Sequence, residues 1–251
     1  MNWRTCKSLI FLFSVLLSLT TKAQTILIDP GHGGIDCGAK QFLKKGNKTV
    51  KFCEKDLVLQ LSKVIKKELE KHYRVYLTRS FDRTLSLDQR AKVADKIKAD
   101  LFISVHANSF TSEAPNGFET FYLSNNKDKA VAKIESVENR DATGQTLIVN
   151  QILADLVIER TAPRSKMLAH LVHKNIAKNI KVKYQLKDRG AKPALFYVLA
   201  LSKRPSVLLE PGFLSNKHEA KRLRHKDFQL SYARGVVEGV IQYFKYLKKK
   251  Q

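Results

Sequence analysis

Six short apolar runs alternate with amphipathic stretches of helical period, and this alternation narrows the fold more than any other feature of the chain. The runs are residues 25–29, 73–77, 101–105, 117–123, 194–199 and 207–209. Between them, residues 54–71 carry Leu57, Leu61, Val64, Ile65 and Leu69 on one helical face and lysines on the other. Residues 87–98 form a second helical stretch with Asp88 near its start, and residues 228–247 a long closing one. Strands interleaved with helices predict an α/β fold, its mostly parallel sheet covered by helices on both faces. The 251 residues suffice for one large domain or two small ones. A hydrophobic fraction of 43% excludes a disordered chain, and three cysteines are too few for a disulfide scaffold.

Residues 1–23 read as a secretory signal peptide. Arg4 and Lys7 give a positive start, residues 9–19 are almost wholly apolar, and Thr21-Lys22-Ala23 sets small residues for cleavage after Ala23. The apolar run is about half of the ~20 residues needed to span a bilayer. No cysteine follows it closely, which argues against a lipid anchor. Loss of Arg4, Lys7 and Lys22 takes the formal charge from +23 to +20. Such a charge favours anionic partners: in an exported protein, envelope polymers, lipid headgroups or the substrate of a secreted nuclease. Cys37 and Cys53 either pair in an oxidising compartment or stand as two free small apolar residues, and sequence alone leaves both open.

Residues 124–164 interrupt the rhythm. They are polar and charged at first, then helical over about 144–160, and carry no strand signature. A segment of this length is either a surface insertion or a lid or regulatory element.

Four residues at element ends could carry chemistry. His32 follows the first strand in Asp29-Pro30-Gly31-His32-Gly33-Gly34, and Glu54 opens the first helix. His106 follows residues 101–105, and Glu210 follows 207–209. Ligands collect at the carboxyl ends of strands in open α/β sheets. Two His and one Glu are a ligand set of catalytic zinc, with a further carboxylate available to move a proton. Singly, each has a bland alternative: a packing histidine, a helix-start carboxylate, an ion-pair partner. The ligands are scattered and no H-E-x-x-H is present. His72, His170, His173, His218 and His225 read as surface or packing residues.

Taken together, several stretches resemble the zinc-dependent N-acetylmuramoyl-L-alanine amidases that cleave peptidoglycan during cell separation. They are Ile28-Asp29-Pro30-Gly31-His32-Gly33-Gly34, Glu54-Lys55-Asp56-Leu57, Leu77-Thr78-Arg79, Arg90 through Ser104-Val105-His106-Ala107-Asn108, Gly117-Phe118-Glu119-Thr120-Phe121-Tyr122 and Leu209-Glu210-Pro211-Gly212-Phe213-Leu214-Ser215-Asn216. Cys37 stands where that family commonly has proline. The resemblance implies a single α/β catalytic domain over residues 24–251 with a twisted, mostly parallel sheet. It implies one zinc ion held by His32, Glu54 and His106, with Glu210 as the catalytic carboxylate. It implies hydrolysis of the amide between the lactyl group of N-acetylmuramic acid and L-alanine, with Asn108 and Arg189 positioning substrate. The segment 124–164 resembles the inserted regulatory helix of the family's regulated branch. Glu138 is then the residue expected to occlude the metal, with Glu135 second, and an activator protein is expected to displace it. The protein is expected to be exported to the periplasm, monomeric, bound to peptidoglycan and not to nucleic acid.

Two other classes compete. A metal-free peptidoglycan-binding module would not need all four site residues. A metal-dependent secreted nuclease would account for the charge, but the chain shows no acidic cluster suited to magnesium.

Overall fold

The first strand explains the layering. In the computed structural model, which describes residues 23–125, 131–140 and 144–250, β1 (Thr25–Pro30) is buried along its whole length. A strand buried on both faces needs a neighbour on each side and a layer above and below. β1 pairs in parallel with β4 (Arg74–Leu77) and with β5 (Leu101–Val105). β8 (Ser206–Glu210) continues the parallel set beside β5. β6 (Phe118–Leu123) then runs antiparallel to β8, and β7 (Asp188–Ala194) lies parallel to β6 at the edge. The order is β4-β1-β5-β8-β6-β7, the mostly parallel sheet expected. The antiparallel turn of β6 brings its first residues, and those of β7, to the edge where β1, β5 and β8 end.

Alternation along the strands builds two cores. Ile26, Ile28, Ile103, Val105, Val207 and Leu209 face one side, under α1 (Glu54–Leu69) and α7 (Lys226–Lys249). Leu27, Phe102, Leu208 and Phe121 face the other, under α2 (Leu87–Lys96) and α5 (Tyr197–Ser202). Ser86 and Gln89 cap the start of α2 reciprocally, so its first backbone donors are satisfied. α6 (Lys217–Arg222) is short and is capped by Asn216.

α4 (Gly144–Tyr184) joins the two faces. Ala154 and Val157 pack in the second core, whereas Leu168, Val172, Ile176 and Ile180 pack in the first. At the crossover, Ser165 Oγ accepts a hydrogen bond from the Ser206 backbone at the start of β8.

Three expectations change. The apolar run 194–199 is not a strand: Ala194 ends β7, and Tyr197–Ser202 is a buried helix. A short run buried all round carries no period that separates strand from helix. The true strand, β7, reads DRGAKPA and is polar because it is an edge, where Pro193 is tolerated. The helix expected over 144–160 continues unbroken to Tyr184 through Pro163. The third change is an antiparallel ribbon, β2 (Lys40–Lys45) and β3 (Lys48–Cys53), where no element was expected. Residues 1–22 of the expected signal peptide lie outside the described residues.

Cys37 and Cys53 form a disulfide across the base of this ribbon. It closes a loop whose ends are 16 residues apart. Replacing both cysteines by serine is expected to lower unfolding free energy by about 3 kcal/mol, the entropy of closing a loop of that size. Chemical denaturation of both proteins under oxidising conditions measures this difference.

Candidate metal centre

The site begins with a carboxylate that is not itself in it. Asp29, second to last in β1, is buried and accepts hydrogen bonds from the Thr78 hydroxyl at 2.6 Å, Ser104 at 3.1 Å and Arg90 at 2.7 Å. Burial alone would raise its pKa, but the Arg90 guanidinium and the Thr78 hydroxyl outweigh burial and hold it below 3.8. Arg90 goes on to donate to the carbonyls of Pro30 and His32, each at 2.9 Å. Arg79 donates to Pro30, Gly31 and Lys55 carbonyls at 3.0, 2.7 and 2.8 Å. Two buried arginines thus fix the loop after β1, and His32 is held at φ 57°, a left-handed conformation that costs a residue with a Cβ energy.

Close approach dictates two glycines here. A Cβ on Gly31 would lie 2.4 Å from the His106 ring, and one on Gly38 would lie 2.6 Å from both Glu54 Oε2 and the His32 ring. Gly38 also needs its φ of 66°.

Around these glycines, His32, Glu54, His106 and Glu138 offer ligand atoms all within 4.8 Å of one another. Glu54, the first residue of α1, is anchored by the Ala39 and Ala107 backbone amides, each donating at 2.8 Å. Its Oε1 stands 3.0 Å from His32 Nε2 and 3.3 Å from His106 Nδ1. Among the described residues, neither buried nitrogen has a hydrogen-bond partner of acceptable geometry. His32 Nδ1 donates to Asp36 Oδ2 at 2.7 Å, which fixes the tautomer and turns Nε2 inward. Tetrahedral zinc with bonds of about 2.0–2.1 Å sets its ligand atoms roughly 3.3 Å apart, so this donor set fits the ion.

The electrostatics agree. Burial would lower the His32 and His106 pKa values, but facing carboxylates reverse this. Glu54 and Asp36 push His32 up to about 9, and Glu138 and Glu54 push His106 up to about 10. Burial would raise Glu54, and the two imidazoles hold it low. The pocket is built to hold positive charge.

Glu210 ends β8 beside this group. It lines a cavity of about 300 Å³ with Glu54, Asn108 and Phe110. Its Oε2 is buried with no partner among the described residues. Burial and the charges of Glu54, Glu138 and Glu119 raise its pKa well above the ordinary value. Asn108 lines the same cavity and donates to Glu119 Oε1. Arg189 lines neither this cavity nor the smaller one beside it. It reaches the site through Glu119 Oε2 at 3.4 Å and stacks over Phe213 at 5.1 Å.

Glu119 and Asp36 were not singled out from the sequence. Glu119 faces Glu210 across the β6–β8 ladder and binds Lys192 at 2.7 Å. A carboxylate inside an apolar strand was its only signal. Among the other histidines, His173 is buried between Thr120 and Asp188, while His72, His170, His218 and His225 are exposed.

The inserted segment reaches this group. α3 (Ala132–Glu138) sets Glu138 Oε2 2.9 Å from His106 Nδ1. Arg140 pairs with Asp36 at 2.5 Å. Glu135 is turned away and accepts from the Leu195 backbone at 2.6 Å, and Asn139 binds the backbones of Leu195 and Tyr197. Val137, Glu138 and Arg140 line both the 300 Å³ cavity and a smaller one of about 70 Å³ beside His32 and Arg90. The end of α3 therefore divides one groove in two.

The profile of a family described as N-acetylmuramoyl-L-alanine amidase matches residues 26–242. The N-acetylmuramoyl-L-alanine amidase AmiA of Escherichia coli K12 is 36% identical over 231 residues, covering 88% of this chain and 76% of AmiA. The crystal structure of an N-acetylmuramoyl-L-alanine amidase from Clostridium difficile 630 superposes with a TM-score of 0.66 at 30% identity, covering 89% of this chain and 97% of that one. The CwlD amidase of Clostridioides difficile, solved in complex with the GerS lipoprotein, gives a TM-score of 0.65 at 25% identity, covering 89% and 99%.

Two substitutions test the scaffold. Asp29→Asn is expected to lower stability at neutral pH by about 3 kcal/mol, because it leaves Arg90 buried and unpaired. The Asp29 pKa is depressed in the fold, so its contribution is complete above 3.8 and disappears as pH falls through the folded value. Acid unfolding of the variant should therefore be shallower than that of the native chain. Gly38→Ala is expected to abolish stoichiometric zinc binding in a chain that still folds, as read by metal analysis and circular dichroism.

Proposed function

The chain belongs to the N-acetylmuramoyl-L-alanine amidase family, and we propose that it is a zinc enzyme whose free form is occluded by its own inserted segment. As a member it is an amide hydrolase acting on peptidoglycan. The bond is the one between the lactyl group of N-acetylmuramic acid and the L-alanine of the stem peptide. The observation that carries the zinc reading is the pair of orphaned, buried nitrogens, His32 Nε2 and His106 Nδ1, converging on Glu54 Oε1. Buried polar atoms without partners are rare, and a cation satisfies both at once.

His32, Glu54 and His106 are the ligands in this reading, oriented by Asp36 and by the Ala39 and Ala107 amides. When bound, zinc supplies Lewis acidity, polarising a carbonyl and lowering the pKa of water to about 7. Glu210 accepts a proton from the attacking water and delivers it to the departing alanine amine. Its raised pKa suits the delivery half of that exchange. Asn108 holds substrate from the cavity wall. Arg189 acts through Glu119.

Glu138 is the occluding residue in this reading. Its carboxylate competes for the position a water needs, and α3 splits the groove that a stem peptide would fill. Displacement by a partner protein is supported by two observations. One relative, CwlD, is found with the GerS lipoprotein. On the outer part of α4, Ile148, Ile152 and Leu156 recur every four residues as an exposed apolar stripe, which suits a protein partner. Export to the periplasm is supported by the character of residues 1–23 and by the Cys37–Cys53 disulfide.

Peptidoglycan digestion by the mature chain, with products identified by mass spectrometry, tests these roles. Glu138→Ala is expected to raise release of stem peptides with a free L-alanine amine at least tenfold over the unsubstituted chain, roughly the worth of one lost ligand contact. Adding Glu210→Gln is expected to cut that release by about 10²–10⁴-fold while one zinc per chain is retained. Zinc loss in the second variant would instead make Glu210 a ligand. Equal activity with and without Glu138 would end the occlusion reading.

A further inference from the structure

The β2–β3 ribbon has no role in the chemistry above, yet it is the most one-sidedly charged element of the chain. Between Asp36 and Glu54 there are five lysines and no acid: Lys40, Lys44, Lys45, Lys48 and Lys51. Among the described residues no carboxylate pairs with Lys40, Lys44, Lys48 or Lys51. Several lysines elsewhere form ion pairs, as Lys55 does with Asp82 at 2.6 Å, Lys71 with Glu68 at 2.6 Å and Lys92 with Asp88 at 2.7 Å, so what sets the ribbon apart is the density of its cations and the lack of any acid among them.

Alternation sorts the ribbon's two faces. Gln41 and Leu43 turn inward and are buried, while Lys40, Phe42 and Lys44 turn outward. Phe42 lies opposite Lys51, and Lys44 opposite Thr49. The outer face therefore carries cations around an aromatic ring that is 55% exposed.

The inner face is bolted down. The Gln41 amide donates to the carbonyls of Leu214 and Ser215 at 3.0 and 2.8 Å, in the loop that follows Glu210. Arg224 lies 3.9 Å over the Phe52 ring, and the disulfide closes the base. The lysines thus project from a fixed platform, so little backbone freedom is lost when they bind. The platform is also continuous with the site. Gly38 and Ala39, just before β2, line the 300 Å³ cavity with Glu54 and Glu210.

Unpaired cations on a rigid strand, spaced along roughly 14 Å between Lys40 and Lys44 and set around an exposed ring, fit a polymer that repeats carboxylates and sugar rings. Resting on the amidase reading, we propose that the outer face of the β2–β3 ribbon holds the peptidoglycan strand beside the stem being cleaved. Lys40, Lys44 and Lys51 pair with stem-peptide carboxylates, and Phe42 packs on a sugar ring. The ribbon is then a polymer-binding surface within the catalytic domain itself.

The test compares the mature full chain with a variant carrying Lys40→Gln, Lys44→Gln and Lys51→Gln, and separately with Phe42→Ser. Each is assayed for co-sedimentation with purified sacculi at low and high salt. In a Glu138→Ala background, each is also assayed for cleavage of sacculi and of a soluble single-stem muropeptide. The lysine variant is expected to bind sacculi roughly tenfold more weakly at low salt and to lose most of its salt dependence. Its kcat on the soluble muropeptide should stay unchanged, which also reports that it folds. Phe42→Ser should weaken sacculus binding at both salt concentrations. Undiminished sacculus binding and cleavage by both variants, with the soluble substrate still cleaved, would overturn the proposal and leave the amidase reading intact. Failure of the Glu138→Ala parent to cleave either substrate would overturn the amidase reading, and this assignment with it.

Discussion

The buried pair between Asp29 and Arg90 is the constraint on which the rest of the site depends. One carboxylate gathers donors from β4's end, β5 and α2, and its partner arginine reaches the loop that follows β1. Burying a charge pair is expensive, and the pair is tolerable only because nearly every lone pair and proton is used. The result is that strand ends which could diverge are cross-linked at the edge where the ligand atoms collect. His32 keeps its left-handed backbone because Arg90 and Arg79 hold the carbonyls on either side of it.

The same economy governs the carboxylates. Glu54, Asp36, Glu138, Glu210 and Glu119 crowd a small volume, yet they differ in what answers them. Glu54 has two backbone amides and two imidazoles, Asp36 has His32 and Arg140, and Glu119 has Asn108, Lys192 and Arg189. Glu210 has a buried oxygen with no partner among the described residues, and its pKa moves opposite to those of Glu54 and Asp36. In the proposed mechanism, carboxylates of one chemistry become ligand, orienter and proton carrier through their surroundings alone.

Much of this was legible in the sequence, for a physical reason. Strands buried on both faces must be continuously apolar, so β1, β5 and β8 stood out, and the residues at their ends followed. What was illegible is equally particular. β7 is an edge strand with lysine and proline, so it carries no apolar signature. Among its described side chains the ribbon buries only Gln41 and Leu43, too little to rise above a lysine-rich background. Asp36 and Glu119 find Arg140 and Lys192 far along the chain, and only folding brings such partners together. His32, Glu54 and His106 lie together, and with them Glu138, which the resemblance pointed to although no periodicity fixes the register of its segment.

The crossover helix α4 has a mechanical consequence. At 41 residues it is a rod of roughly 60 Å, clamped in one core along its C-terminal part and resting on the other, among the described side chains, through Ala154, Val157 and Ile158. Ser165 pins it to β8 between the two, next to Pro163, where the helix lacks a backbone donor. That arrangement is a lever with its fulcrum at the sheet. A modest force on the outer arm becomes a torque about Ser165, felt first where the packing is thinnest and only weakly by the strands that lead to His32, His106 and Glu210.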